Sequence, residues 1–172
     1  MRLPYRLRQL GNNLAAGPLP AAAHDEIAGL LSESERGLFA RYCLADQWHA
    51  LRILHMLRDA GYNHPDLLAA ALLHDVGKTR YPLSVWDRTV IVVGQALFGR
   101  RTERWGNAEP TGWRRPFVVR AQHPAWGAEM AAAVGSRPGV VALIRRHQDK
   151  VAHEAGEEDN LLRQLQWADD QN

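Results

Sequence analysis

The apolar run Ala69-Ala70-Ala71-Leu72-Leu73 ends on His74-Asp75, and Val76-Gly77-Lys78 follows. A segment that reads as a buried helix therefore delivers an imidazole and a carboxylate, side by side, into the interior. Burying two such groups is costly unless something compensates, and a metal ion compensates well. This pair limits the chain to folds whose other elements bring further ligands to the end of this helix.

The pattern is helical throughout, with no period-two run that would mark a strand, and an all-α fold is expected. Residues 1–23 are rich in Ala, Pro and Gly and read as a flexible arm. Helices are expected over Asp25 to Leu31 and over Ser34 to Leu44, the second breaking near Cys43. A strong helix runs from Asp46 to a cap at Gly61, with Trp48, Leu51, Leu54 and Leu57 as its apolar stripe. Pro65 opens the helix that ends near Asp75. Ser84-Val85-Trp86-Asp87 resembles a capping box for a helix over Trp86 to Phe98. Residues 99–116 read as an irregular insertion, long enough to serve as a lid or binding loop. Pro116, Pro124 and Pro138 each start a helix, and the last helix runs from Glu157 or Glu158 to about Trp167.

Six residues fall at helix ends or on apolar faces where ligands are needed. His49 shares a helical face with Ile53 and Met56, so it points inward. His74 and Asp75 end the next long helix. His123 directly precedes Pro124, which biases it to extended geometry at a helix start. His147 closes the helix from Val140, and Asp169 follows the last helix. Neutral imidazole together with carboxylate suits Mn, Fe, Co, Ni or Zn without choosing among them. Among the rivals, His55 lies on another face of its helix and Asp170 cannot easily share a metal with its neighbour. His153 sits in a polar stretch, and His64 reads as a cap for the helix that Pro65 begins.

The ordered set His49, His74-Asp75, His123, His147, Asp169 resembles the HD-domain superfamily of metal-dependent phosphohydrolases over about residues 40–170. Leu72-Leu73-His74-Asp75-Val76-Gly77-Lys78 carries the signature, and His123-Pro124 with Gly127-Ala128-Glu129 resembles the motif around the third histidine. The resemblance implies a single HD domain over 24–172. It also implies two divalent transition metals, one held by His49, His74, Asp75 and Asp169, the other by Asp75, His123 and His147. Asp75 would bridge them, and Lys78 would lie near a bridging hydroxide or a substrate phosphate. The cyclic-di-GMP phosphodiesterase branch carries a paired histidine at the fourth position, where this chain reads Arg146-His147-Gln148. The branch that cleaves diadenosine tetraphosphate symmetrically has a similar ligand order without an insertion like 99–116.

The implied function is hydrolysis of a phosphomonoester or phosphodiester, of a nucleotide or dinucleotide, with Asp75 and Lys78 at the reacting centre. Two metals ~3.5–4 Å apart can hold a bridging hydroxide and clamp a phosphoryl group. The same ligands would also serve a mixed-valent di-iron oxygenase, and a non-catalytic nucleotide-binding module is the third reading. Arg114, Arg115 and Arg146 are candidate substrate contacts beside Lys78. Trp86, Trp105, Trp113 and Trp126 read as core or loop anchors, with Trp105 or Trp113 offering a base-stacking surface.

Composition narrows the partners. Net charge is +2, but Arg2, Arg6 and Arg8 cluster in the arm and six more Arg lie between Arg100 and Arg120. With Trp105 and Trp113 among them, this basic, aromatic segment can receive a phosphate or a nucleobase, or can be a solvated surface loop with its tryptophans packed inward. The expected partner is a small phosphate ester or nucleotide, with no specific nucleic acid. The longest apolar stretch, Thr89 to Phe98, is broken by Gly94 and Gln95 and is too short to span a bilayer. Arg2, Arg6 and Arg8 lead into Gly11-Asn12-Asn13 and not into the apolar core of a signal peptide. A single cysteine, Cys43, fits a reducing cytoplasm.

Overall fold

The computed structural model describes residues 17–99, 101–151 and 156–172, and helix is the only regular structure among them. The greater part of the basic arm, and His153, lie outside the described residues. Helix α1 (Ala21–Leu30) takes in the last three residues of the expected arm. Helix α2 (Glu33–Phe39) opens on a capping box between Ser32 and Glu35 and stops earlier than expected. Cys43 is then the N-cap of α3 (Leu44–Asp59).

Helix α4 (Pro65–Leu73) is the centre of the fold. Pro65 fits its first turn, and the His64 Nδ1 accepts from the Asp66 amide at 3.2 Å, so His64 is a cap as expected. Every residue from Leu67 to Leu73 is buried. A helix apolar all round must be enclosed on all sides. Here α1, α3, α8 (Pro138–Arg146) and α9 (Glu157–Gln171) enclose it. Leu67, Leu72 and Leu73 meet Leu54, Leu143, Ile144, Leu162 and Leu165 in one core.

After His74 the chain tightens into a 3-10 turn over Val76–Arg80 that lies on α7 (Arg115–Ala133). Gly77 makes this approach possible. A β-carbon there would sit 2.0 Å from the His123 carbonyl oxygen and 2.6 Å from the Gly127 nitrogen. Gly127 answers from the other side, 3.1 Å from the Gly77 nitrogen by the same measure.

Three expectations are corrected. Pro124 does not start a helix; it lies inside α7, and His123 is helical rather than extended. The reason lies in the His123 ring. Proline lacks the N–H that would reach the Arg120 carbonyl, and the His123 Nδ1–H reaches that carbonyl instead, at 2.9 Å. The insertion is also less irregular than expected. It holds α6 (Arg101–Trp105) and a 3-10 turn over Gly112–Arg114, tied together by Phe98, Trp105, Trp113 and Phe117 with ring centroids 4.9–6.5 Å apart. Helix α5 (Val85–Phe98) does open on the expected box, with Ser84 and Asp87 capping each other. Asp169 lies within α9, which runs four residues past its expected end at Trp167.

Gly77→Ala forces the 3-10 turn away from α7 and is expected to cost about 3 kcal/mol of unfolding free energy, as other overpacked cores do. Urea denaturation measures this. An unchanged midpoint would show that the close approach is not needed.

Candidate metal centre

Six side chains from five elements meet below the end of α4. His49 comes from α3, His74 and Asp75 from the end of α4, His123 from α7, His147 from the end of α8 and Asp169 from α9. They form two groups, His49–His74–Asp169 and Asp75–His123–His147, and within each the ligand atoms lie within 4.8 Å of one another. In the first, the Asp169 Oδ1 is 3.2 Å from the His49 Nε2 and 3.9 Å from the His74 Nε2. In the second, the Asp75 Oδ1 is 3.1 Å from the His123 Nε2 and 3.9 Å from the His147 Nε2. The other Asp75 oxygen, Oδ2, faces the first group, 3.5 Å from the His74 Nε2 and 3.9 Å from the His49 Nε2. One carboxylate thus turns one oxygen to each group.

A family model for the HD domain matches residues 48–170, most of the chain. The chain belongs to the HD domain family. That places it on a metal-dependent, hydrolase-type scaffold. Comparisons with curated proteins and with solved structures return no match.

The hydrogen bonds of the HD centre show that its residues fit metal ions. The His74 Nδ1 lies 3.0 Å from the Ala71 carbonyl, the His123 Nδ1 3.0 Å from the Val119 carbonyl, and the His147 Nδ1 2.7 Å from the Ile144 carbonyl. A carbonyl only accepts, so all three Nδ1 atoms carry their proton and donate it. In the neutral rings this leaves each Nε2 as a bare lone pair aimed inward. The His74 Nε2 is buried with no hydrogen-bond partner. The His123 and His147 Nε2 atoms face each other at 3.1 Å, beside the Asp75 Oδ1. Three acceptors converging in this way repel unless a cation joins them. Both α4 and α8 also end here, at His74 and His147, so the partial negative charge of two helix C-termini favours cations further.

His49 is held differently. Arg52 donates to the Asn172 Oδ1 at 2.8 Å, which turns the amide nitrogen of Asn172 toward the His49 Nδ1 at 3.3 Å. His49 accepts there, so its Nε2 carries the proton and donates to Asp169. To bind a metal through Nε2, His49 must lose or move that proton.

Burial sets the charge states. It draws the His74 imidazole below its ordinary value, against Asp75 and Asp169. Burial, then His74 and His123, bring His147 down to about 3. Burial works against the Asp75 charge as well, but Lys78, His74 and His123 hold this carboxyl well below the usual carboxylate range. Asp169 is held at about 2 against the same burial penalty, by the His49 hydrogen bond and then by His74. At neutral pH the centre therefore offers the neutral imidazoles of His74 and His147 beside two carboxylates.

Lys78 reaches Asp75 from the 3-10 turn through a hydrogen bond to Oδ2. With His123 it lines a cleft of about 480 Å³, within the ordinary range for a small-molecule site. Tyr42, Arg41, Arg88 and Arg120 also line it. Arg88 is held at 3.0 Å by both oxygens of Asp46. The Tyr42 hydroxyl is buried without a hydrogen bond of good geometry, and burial, then Asp75 and Asp46, push it well above its ordinary value. Arg41, Tyr42 and Arg88 come from sequence-distant elements with no motif of their own, and Arg120 stood out in the sequence only as one of the clustered arginines between 100 and 120.

The expected substrate arginines lie elsewhere. Arg114 lies over the Trp113 ring at 5.2 Å. Arg115 binds the Pro82 carbonyl and lies 3.4 Å from the Asp87 carboxylate, while Arg146 pairs with Glu158 and Asp159. Of the rival ligands, His55 pairs with Glu26 at 2.9 Å and Asp170 is exposed.

In chelator-treated protein, His147 is neutral when folded and takes up a proton once unfolded. Its folded value is depressed, so its contribution is fully present above an unfolded pKa of ~6.5 and is lost as pH falls toward about 3. Thermal melts across that window should show a falling melting temperature, with His147→Gln flattening the slope. A melting temperature that holds or rises on acidification contradicts the assignment.

Proposed function

We propose that this chain is a metal-dependent phosphohydrolase that cleaves a phosphomonoester or phosphodiester, of a nucleotide or dinucleotide. The observation that carries the reading is the Asp75 carboxylate, with one oxygen toward each histidine group and a cationic cleft beside it. His49, His74, Asp75 and Asp169 would hold one divalent ion, and Asp75, His123 and His147 a second, from among Mn, Fe, Co, Ni and Zn. When bound, such a pair supplies a water of lowered pKa as nucleophile and neutralises charge on the phosphoryl oxygens.

The chain's own groups supply the remainder. The carbonyls of Ala71, Val119 and Ile144 fix three imidazoles with their lone pairs inward, so no reorganisation is needed when charge develops. Lys78 keeps a cation at the border of Asp75 and the cleft, where it can stabilise a phosphoryl oxygen. Arg41 offers the planar fork that suits a phosphate, and Arg120 lines the same wall. Tyr42, kept protonated, can donate to a substrate oxygen but cannot act as a base at neutral pH. The leading alternative, a di-iron oxygenase, differs in requiring dioxygen.

The test is turnover of p-nitrophenyl phosphate, bis(p-nitrophenyl) phosphate and a panel of nucleotides by metal-reconstituted protein, in air and under anaerobic buffer. Equal hydrolysis in both, abolished by chelator and by Asp75→Ala, is expected. Lys78→Ala should lower kcat by about 10²-fold, in line with loss of one stabilising donor. Arg41→Ala should chiefly raise KM, by about tenfold. Metal-loaded protein that turns over no phosphate ester, or only in the presence of dioxygen, overturns the reading.

A further inference from the structure

Helix α5 has two faces with different tasks. Its inner face packs on α7, where Gly94 admits the Phe117 ring so closely that a β-carbon would lie 2.6 Å from Cζ. Arg88 and Ile91 on that side form part of the cleft wall. The outer face carries Trp86, Val90, Val93 and Leu97, at i, i+4, i+7 and i+11, so they form one stripe roughly 17 Å long. The stripe is not core. Trp86 is 79% exposed, Leu97 71%, and Trp113, which the sequence suggested as an anchor, 60%. Phe98 is half-exposed and extends the apolar surface toward the Trp105–Trp113 cluster. A contiguous apolar surface of this kind, centred on tryptophans, marks an interaction site.

Charge decides the occupant. Arg101, Arg104 and Arg114 are exposed on the elements that follow the stripe, and the Arg114 guanidinium lies over the Trp113 ring. Between Leu97 and Arg114 the chain has four arginines against Glu103 and Glu109. A second copy docking by two-fold symmetry would set this basic rim against itself. An anionic lipid surface matches it, with tryptophan rings at the headgroup level and arginines reaching the phosphates. Among the described residues no helix is long and apolar enough to cross a membrane, so the contact is one of lying on the surface.

We infer that the outer face of α5, with Trp113 and the rim of Arg101, Arg104 and Arg114, docks this protein onto an anionic lipid bilayer. The apolar stripe enters the headgroup boundary, and the arginines hold the lipid phosphates. Because α5 is also a cleft wall, docking sets the cleft beside the lipid surface. This inference does not rest on the proposed hydrolysis.

The test is sedimentation of the full chain with vesicles of phosphatidylcholine alone and of phosphatidylcholine mixed with phosphatidylglycerol, with tryptophan fluorescence as a second readout. Binding only to the anionic vesicles, weakened by salt and accompanied by a blue shift, is expected. Trp86→Ser with Leu97→Ser should weaken it by more than about tenfold while far-UV circular dichroism and metal content stay unchanged. Arg101→Glu with Arg104→Glu should weaken it similarly and abolish the preference for the anionic lipid. No binding to anionic vesicles overturns the inference. So does binding that survives the Trp86 and Leu97 changes, which would place the contact elsewhere, for instance on the basic arm. A dimer in light scattering that Leu97→Ser splits would assign the face to a second copy and overturn it too.

Discussion

A buried carboxylate among four imidazoles organises this molecule. Asp75 sends Oδ1 toward His123 and His147 and Oδ2 toward His74, His49 and Lys78. A charge so placed is tolerable only when fully compensated. Within the protein the Lys78 ammonium supplies this compensation, and it does so incompletely, since the His74 Nε2 has no hydrogen-bond partner and the His123 and His147 Nε2 atoms confront each other. The centre is thus strained in a way that cations relieve, and metal affinity and fold stability are linked.

The backbone geometry serves this arrangement. Two helices end at the centre with their carbonyls toward it, and the 3-10 turn that follows α4 carries Lys78 to the border of the cleft. Gly77 and Gly127 let that turn lie against α7 at van der Waals distance. From α9, Gln166 donates to the His147 carbonyl at 3.0 Å and to the Asp149 carbonyl at 2.8 Å, which secures the end of α8. Pro124 leaves the Arg120 carbonyl without its helical donor, and the same imidazole that faces Asp75 takes its place. His123 is fixed in tautomer and orientation by the gap that proline opens.

Much of this was legible from residue pattern. The wholly apolar helix ending on His74-Asp75 announced both the all-α core and the pair at its end. His49 was readable because Ile53 and Met56 mark its face as inward, and Pro65 and Pro138 marked true helix starts. What escaped notice depends on three-dimensional compensation. Pro124 read as a boundary because nothing local shows that a side chain can replace its missing N–H. The insertion read as irregular because its aromatic cluster joins Phe98, Trp105, Trp113 and Phe117 across separate elements. Arg41, Tyr42, Arg88 and Arg120 share a cleft only after folding, whereas Arg114, Arg115 and Arg146 drew attention by being clustered or beside a ligand. Their partners, a tryptophan ring, a helix cap and two carboxylates, are spent on local structure.

On the proposed function, Asp75 joins two metal positions into one centre. Metal content by inductively coupled plasma mass spectrometry, on reconstituted wild type and on His147→Ala, tests it most directly. The expected content is about two divalent transition metals per wild-type chain and about one in the variant, whose His49–His74–Asp169 side is intact. One metal in both proteins, or none after reconstitution, would contradict it.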